Sequence, residues 1–214
     1  MRSYKDIPNK VSLILHSVNC KCNFKCFGCF NYEDLILKDH INFYNEKDIL
    51  NIIENSKDII DVIIFSGGEF LLHSLEDIES ICLKIKDKFN KKIVIYTNGT
   101  QYEKVKYLIN NKIIDGLHID MKLPYNLMDS EEDKDIFKSI LGIELKENDM
   151  NNILQSMELI IKHNSEYSQV RTVKYPILPI DFFDEIKVYI EELNKKYNSN
   201  VQYYLNEYID IENN

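Results

Sequence analysis

The chain has 214 residues, of which 44% are hydrophobic and 29% charged, and its formal net charge is −9. A chain of this length can bury one substantial core, so we expect a single domain over residues 1–214 with a core spanning about 11–206. The negative charge and the lack of a long Lys or Arg run argue against nucleic acid as a partner. No apolar stretch reaches the length of a membrane span and no signal peptide is recognisable, which predicts a cytoplasmic protein with no membrane partner.

Apolar runs of strand length alternate with amphipathic stretches along nearly the whole chain. The predicted strands are 11–18, 59–65, 92–97, 114–121, 168–175 and 200–206, and the predicted helices are about 46–56, 75–89, 101–111, 150–163 and 181–196. This alternation indicates an α/β fold in which β-α units surround a parallel sheet.

The least regular stretch is 122–149, which follows the carboxyl end of a predicted strand. Sites in parallel α/β architectures collect at that end, so a long loop there is a candidate lid or substrate loop. A solvated acidic excursion explains the composition equally well, and we expect the stretch to be irregular.

Four of the five cysteines lie within residues 20–29, while Cys82 stands alone in a helical pattern and is interpreted as core. Cys22, Cys26 and Cys29 have the spacing C-x3-C-x2-C on the loop that leaves the first strand. Three such thiolates can ligate three irons of a 4Fe-4S cube and leave the fourth iron open to a small molecule. A zinc site with Cys20 as the fourth ligand is the chemical alternative.

This triplet resembles the cysteine motif of the radical SAM superfamily, which implies a partial (β/α)6 TIM-type barrel. The resemblance implies one 4Fe-4S cluster on Cys22, Cys26 and Cys29, with S-adenosylmethionine (SAM) bound at the open iron through its amino and carboxylate groups. Reductive cleavage of SAM would then give a 5′-deoxyadenosyl radical. Cys20 is interpreted as a packing residue or one beside the ligands.

Two further motifs follow at the ends of the second and third predicted strands. "SGGE" resembles the family's Gly-Gly-Glu motif, and "TNG" occupies the position of polar SAM-binding residues. The resemblance assigns cofactor binding to Ser66, Gly67, Gly68, Glu69, Thr97 and Asn98. Glycines let the backbone approach a ligand closely, although each motif alone could be an ordinary turn.

On the fourth predicted strand, alternation places His118, Asp120 and Lys122 on one face and apolar residues on the other. Asp-x-Lys here resembles the glycyl-radical-enzyme activases, in which such a lysine contacts the methionine carboxylate. We therefore expect His118, Asp120 and Lys122 to contact SAM, with Lys122 also in the catalytic set. Arg171 on the fifth strand resembles an activase arginine and is likewise expected to bind SAM near its methionyl carboxylate, although a structural ion pair would also explain it.

The chain departs from the activase pattern in two places. Phe70 follows Gly-Gly-Glu where proline is frequent, and Tyr96 stands where some activases have an acidic residue of a monovalent-cation site. Five cysteines leave room for one cluster.

Among single-cluster members, "CNFKCFGCFN", "HIDMK", "FKSILG" and "RTV" most resemble the activating proteins of anaerobic ribonucleotide reductase. That resemblance implies a glycyl-radical enzyme as partner and a low-potential electron donor, flavodoxin or ferredoxin. The alternatives are a radical SAM enzyme acting on a small molecule or peptide, such as a deazapurine-synthase-like enzyme, and a zinc-stabilised binding protein.

Overall fold

An open, curled sheet organises the described part of the chain, which in this computed structural model comprises residues 1–18, 21–38 and 43–210. Within those residues the sheet has seven strands. They are β1 (Arg2–Ser3), β2 (Ser12–Ser17), β3 (Val62–Gly67), β4 (Lys92–Thr97), β5 (Gly116–Asp120), β6 (Gln169–Lys174) and β7 (Gln202–Glu207).

The strands lie in the sheet in the order in which they occur along the chain. β2 to β7 pair in parallel, whereas the two-residue β1 pairs antiparallel with β2 at one edge. The six predicted strands correspond to β2–β7, and the predicted partial (β/α)6 fold is confirmed. β1 is too short to have been recognised from an apolar pattern.

Six α-helices connect the strands in the residues that are described. They are α1 (Glu46–Glu54), α2 (Leu75–Phe89), α3 (Tyr102–Asn110), α4 (Lys134–Leu141), α5 (Glu147–His163) and α6 (Asp181–Tyr197). Short helical turns of other types occur at Tyr32–Leu37, Phe70–Leu72 and Tyr125–Leu127. None of these helices is long and apolar enough to cross a membrane.

The two faces of the sheet bury different residues. Alternate side chains such as Ile63, Ile93 and Leu117 face the helices and join the main core. On the inner face, a smaller cluster consists of Ile7, Ile14, Val62, Ile64 and Val94. Since Ile7 precedes β2, the N-terminal segment fills the barrel at the amino ends of the strands.

The stretch 122–149 is more ordered than the sequence indicated. It contains α4 and the first turn of α5, which begins three residues earlier than predicted. Phe137, Ile140 and Leu141 of α4 are completely buried. The prediction of an irregular excursion was therefore wrong, because an amphipathic helix of eight residues after an acidic run carries too short a pattern to be recognised.

Candidate functional site

A cavity of about 450 Å³ opens at the carboxyl ends of the parallel strands. Its lining comes from the loop after β2, from the ends of β3 to β7 and from the residues immediately after β7. Most predicted site residues line it: Cys22, Cys26, Cys29, Ser66, Gly67, Gly68, Glu69, Thr97, Asn98, Asp120 and Lys122. His118 and Arg171 are not in the lining.

The cysteine loop, residues 21–29, brings three thiols to one side of the cavity. Cys22, Cys26 and Cys29 are partly exposed there, and the loop is anchored by Phe24, which is buried in the main core. Cys82 is buried in α2, as predicted. Cys20, for which the sequence suggested a supporting role, lies outside the described residues.

Burial raises the pKa of the Cys22 thiol to about 12 and also raises the pKa of Cys26. These thiols are protonated near neutral pH until a metal supplies the positive charge that stabilises the thiolates. Binding of a cluster must therefore release protons from this loop.

The donor set fits an iron-sulfur cube better than a single ion. Among the residues that the structure describes, which do not include Cys20, no fourth cysteine is in the cavity lining. Within residues 1–18, 21–38 and 43–210, no three Cys, His, Asp or Glu side chains converge as the ligands of one ion do. In a cube each thiolate binds a different iron, so three separated thiols on one loop are suited to it.

Gly67, the last residue of β3, allows a close backbone approach as well as lining the cavity. Gly67 has φ +125°, and a Cβ atom there would lie 2.4 Å from the Ser17 carbonyl oxygen of β2. Only glycine permits this approach. The Gly67 carbonyl oxygen accepts a hydrogen bond of 2.9 Å from the Asn31 amide, which ties the chain after the last cysteine to the Gly-Gly-Glu turn.

Glu69 joins the ends of two strands. Its carboxylate accepts hydrogen bonds from the Thr97 hydroxyl at 2.9 Å and from the Asn98 backbone N–H at 2.7 Å. The residue is 1% exposed, and burial raises its pKa to about 7. The carboxyl group therefore fixes the end of β3 against the end of β4.

A chain of amides joins the cysteine loop to the end of β4. The Asn98 side chain donates to Asn23 Oδ1 at 2.7 Å, and the Asn23 amide donates to Thr100 Oγ1 at 3.0 Å. Sequence reasoning overlooked Asn23 because a single Asn between two cysteines is unremarkable in a loop. The contact fixes the cysteine loop relative to Thr-Asn-Gly.

Asp120 and Lys122 form a charged pair at the cavity wall, with 3.0 Å between Lys122 Nζ and Asp120 Oδ2. The Lys122 side chain is only 11% exposed. Burial opposes its charge, but the neighbouring Asp120 carboxylate contributes most to outweighing that effect, and the pKa of Lys122 is held well above its usual value. The cavity thus presents a permanent ammonium next to a carboxylate.

The barrel floor, which consists of Tyr96, His118, Gln169, Arg171 and Asp6, lies on the side of the N-terminal segment. Arg171 donates to the Tyr96 hydroxyl at 3.0 Å and to Gln169 Oε1 at 3.3 Å, and it lies 3.8 Å from Asp6 Oδ1. Tyr96 donates to the same Asp6 carboxylate.

His118 is buried in this floor against the Tyr96 ring, with 4.7 Å between the ring centroids. Burial, assisted by the Arg171 charge, lowers the pKa of His118 well below its usual value, so the ring is neutral. Tyr96 lines the cavity as well, and its ring is therefore the boundary between the cavity and the floor.

Sequence reasoning also missed the contribution of the last strand. Asn206, Glu207, Tyr208 and Ile209 line the cavity at the end of β7. The rule applied to the other strands, that polar residues at carboxyl ends meet, would have indicated Asn206 and Glu207 at the end of the sixth predicted strand.

Comparison with solved structures supports the architecture. The chain superposes on native anSMEcpe, solved with bound AdoMet, with a TM-score of 0.59 and 18% identity. The match covers 91% of this chain and 51% of that one. At this identity the likeness concerns the fold.

Curated relatives are more similar in sequence. A Methanocaldococcus jannaschii protein named provisionally as a glycyl-radical enzyme activating enzyme is 31% identical over 175 residues, which is 80% of this chain and 64% of that protein. A GTP 3',8-cyclase of Clostridium botulinum (strain Okra / Type B1) is 26% identical over 197 residues, 91% of this chain and 56% of the cyclase. The chain spans less than two thirds of the length of either relative.

The family model of the radical SAM superfamily matches residues 17–193. This range contains the three cavity cysteines, Gly-Gly-Glu and the Asp120–Lys122 pair. The chain therefore belongs to the radical SAM superfamily, whose members use a 4Fe-4S cluster and SAM.

Proposed function

We propose that this enzyme generates a glycyl radical on a partner enzyme, with an anaerobic ribonucleotide reductase as the favoured partner. The observation that carries the proposal is the open cavity. Of the stretch 122–149, only Lys122 lines it, while Phe137, Ile140 and Leu141 are buried in the core. In this structure the segment with the length to close over a small substrate therefore does not cover the cavity.

The cofactors would occupy the cavity beside the cysteine loop. Cys22, Cys26 and Cys29 would hold the cube, and Gly68 with the neighbouring backbone would receive the methionyl group of SAM. When both are bound, the reduced cluster and SAM supply a 5′-deoxyadenosyl radical. The protein's part is to hold the two together and to exclude other reactants.

Lys122 is suited to the methionyl carboxylate because its ammonium is permanently charged and faces the cavity. Asp120 beside it can accept from the methionyl ammonium, and Thr97 and Asn98 supply neutral polar groups. We assign His118 and Arg171 a SAM-binding contribution through Tyr96, whose ring separates them from the cavity.

The rim of the cavity offers apolar surface for a partner polypeptide. Phe30 and Ile209 are 59% and 52% exposed although both line the cavity. Exposed apolar side chains that lie together are typical of protein-binding surfaces. A partner's glycine loop could enter between them, where Asn206 and Glu207 offer hydrogen-bonding groups.

Reductive cleavage needs an electron at low potential. We assign its delivery to a small carrier protein, flavodoxin or ferredoxin, which would dock transiently near the cysteine loop.

A second candidate function is chemistry on a small molecule or peptide. The similarity to a GTP 3',8-cyclase over 91% of this chain favours it, since that relative is named for a nucleotide substrate. In that case a segment other than 122–149 would have to cover the cavity.

The test is anaerobic incubation of the reconstituted, reduced enzyme and SAM with the glycyl-radical enzyme encoded nearest in the genome. Electron paramagnetic resonance should show a glycyl doublet that is absent with a Gly→Ala partner and absent with the Cys29→Ala enzyme. Formation of 5′-deoxyadenosine without a partner radical, stimulated instead by a nucleotide or peptide, would establish the second candidate.

A further inference from the structure

The cysteine loop rests on the carboxyl end of α4. The backbone N–H of Lys25 donates to the Leu141 carbonyl oxygen at 2.7 Å, and the N–H of Phe27 donates to the Ile140 carbonyl oxygen at 2.9 Å. The last carbonyls of a helix have no partner within it. Here two of them are satisfied by the residues on either side of Cys26.

Gly142 ends α4 in the left-handed conformation, with φ +67°. A Cβ atom at this position would lie 2.4 Å from the Lys25 carbonyl oxygen and 2.6 Å from Lys25 Cβ. The cysteine loop therefore approaches the helix end so closely that a side chain at residue 142 would displace it.

Other helix ends in the described part of the chain show whether the left-handed conformation by itself requires a glycine. α2, α5 and α6 also end in left-handed residues, and each of these is an asparagine: Asn90, Asn164 and Asn198, with φ between 50° and 52°. Asparagine tolerates this conformation. The conformation alone thus does not require glycine at residue 142, whereas the contact with Lys25 does.

We propose that the end of α4, through Gly142 and the carbonyl groups of Ile140 and Leu141, is the platform that positions Cys26 for the cluster. Gly142 is a positioning residue, since it touches the loop and not the cofactors. Because the backbone N–H groups of Lys25 and Phe27 donate to helix carbonyl groups, the backbone around Cys26 has its conformation before the cluster binds.

The variant that isolates the close approach is Gly142→Asn, because asparagine accepts the left-handed backbone but adds the Cβ atom. Asn90→Ala is the matched control: it places an unfavourable left-handed alanine at the end of α2, away from the cysteine loop. Both proteins are compared with the wild type in thermal unfolding of the apo-protein, to separate a general loss of stability from a local one.

Three readouts follow: amide hydrogen exchange at Lys25 and Phe27 in the apo-protein, iron and sulfide content after anaerobic reconstitution, and the rate of cluster loss to a chelator. We expect Gly142→Asn to abolish protection at both amides and to accelerate cluster loss about 10-fold, as altered support of metal ligands commonly does. Asn90→Ala should keep wild-type values in all three.

Wild-type protection and cluster retention in Gly142→Asn would overturn the proposal, as would equal cluster loss in Asn90→Ala. If Gly142→Asn does not fold, amide hydrogen exchange in the wild-type apo-protein tests the proposal. Protection of the Lys25 and Phe27 amides would support it, and exchange at the intrinsic rate would refute it.

Discussion

The cavity and the barrel floor both contain polar side chains and both lie inside the same sheet, yet they are built differently. Side chains that line the cavity keep groups directed at open space, as the Asp120–Lys122 pair does. The floor is closed by a residue from a distant segment, Asp6, whose carboxylate accepts from Tyr96 and lies near Arg171. Tyr96 and Arg171 thus have a partner from another segment, whereas Asp120 and Lys122 face the cavity.

The largest expected effect concerns the cysteines. Three of them line the cavity, whereas Cys82 is buried in the core. Replacing Cys22, Cys26 or Cys29 by Ala should each abolish a stable cube, because one iron then lacks its thiolate. Cys82→Ala and Cys20→Ala should retain it. The measurement is iron and sulfide content after anaerobic reconstitution, and a cluster lost in Cys20→Ala but kept in one of the first three would disprove the ligand assignment.

The second expectation compares one buried titratable group from each region. The pKa of Glu69 is raised from 4.5 to about 7, so its contribution to stability declines as pH rises between those values, by about 3 kcal/mol in total. The pKa of His118 is lowered well below 6.5, so its contribution rises with pH until about 6.5. The two contributions therefore have opposite signs.

Urea unfolding of the apo-protein from pH 5 to 8 measures them. Relative to wild type, Glu69→Gln should gain stability as pH rises towards 7, and His118→Gln should lose it as pH rises towards 6.5. Curves parallel to that of the wild type would show that neither group titrates differently in the folded protein.

Whether the contacts in these two regions can be predicted from the sequence depends on how far apart the contacting residues are along the chain. Cys22, Gly68, Thr97 and Asp120 line one cavity because each lies at or just after the end of a recognisable strand, and parallel strands bring their carboxyl ends together. The contact of Arg171 with Asp6 joins residues 165 positions apart, and no periodic pattern reports such a pairing.

The same limit applies to α4. Its pattern is eight residues long, and its role depends on two backbone hydrogen bonds from the cysteine loop, more than 100 residues earlier. Hydrogen bonds between backbone groups do not depend on the side chains, so the sequence rarely indicates them. Gly142 is the exception, because the close approach of Lys25 excludes any side chain there.

A third expectation is that Lys122 and Arg171 differ in their contribution to SAM binding. Lys122→Ala should weaken SAM binding about 10-fold to 150-fold, which corresponds to a charge-assisted hydrogen bond of about 1.5–3 kcal/mol. Arg171→Ala should weaken it less, because Tyr96 stands between its guanidinium and the cavity. Titration of SAM into both reconstituted variants tests this order, and wild-type affinity in Lys122→Ala would remove the residue from the site.

The smallest expected effect is that of Asp6. Asp6→Asn removes the charge that faces Arg171 but keeps an acceptor for Tyr96, so the apo-protein should lose about 1–2 kcal/mol of stability while its SAM affinity stays unchanged. The exposed Asp58→Asn is the control. Denaturant unfolding and SAM titration measure the two quantities, and a loss of SAM affinity without a loss of stability would place Asp6 in the cavity's function.

The central claim is that the cavity holds one cube on Cys22, Cys26 and Cys29 with an iron left open for SAM beside Lys122. Its most direct test is electron paramagnetic resonance of the anaerobically reconstituted, reduced protein, before and after addition of SAM. The account predicts the signal of one reduced 4Fe-4S cluster, a clear change of that signal on adding SAM, and a higher SAM concentration for the same change in Lys122→Ala. A signal that SAM leaves unchanged, or a protein that takes up one zinc in place of about four irons, would contradict it.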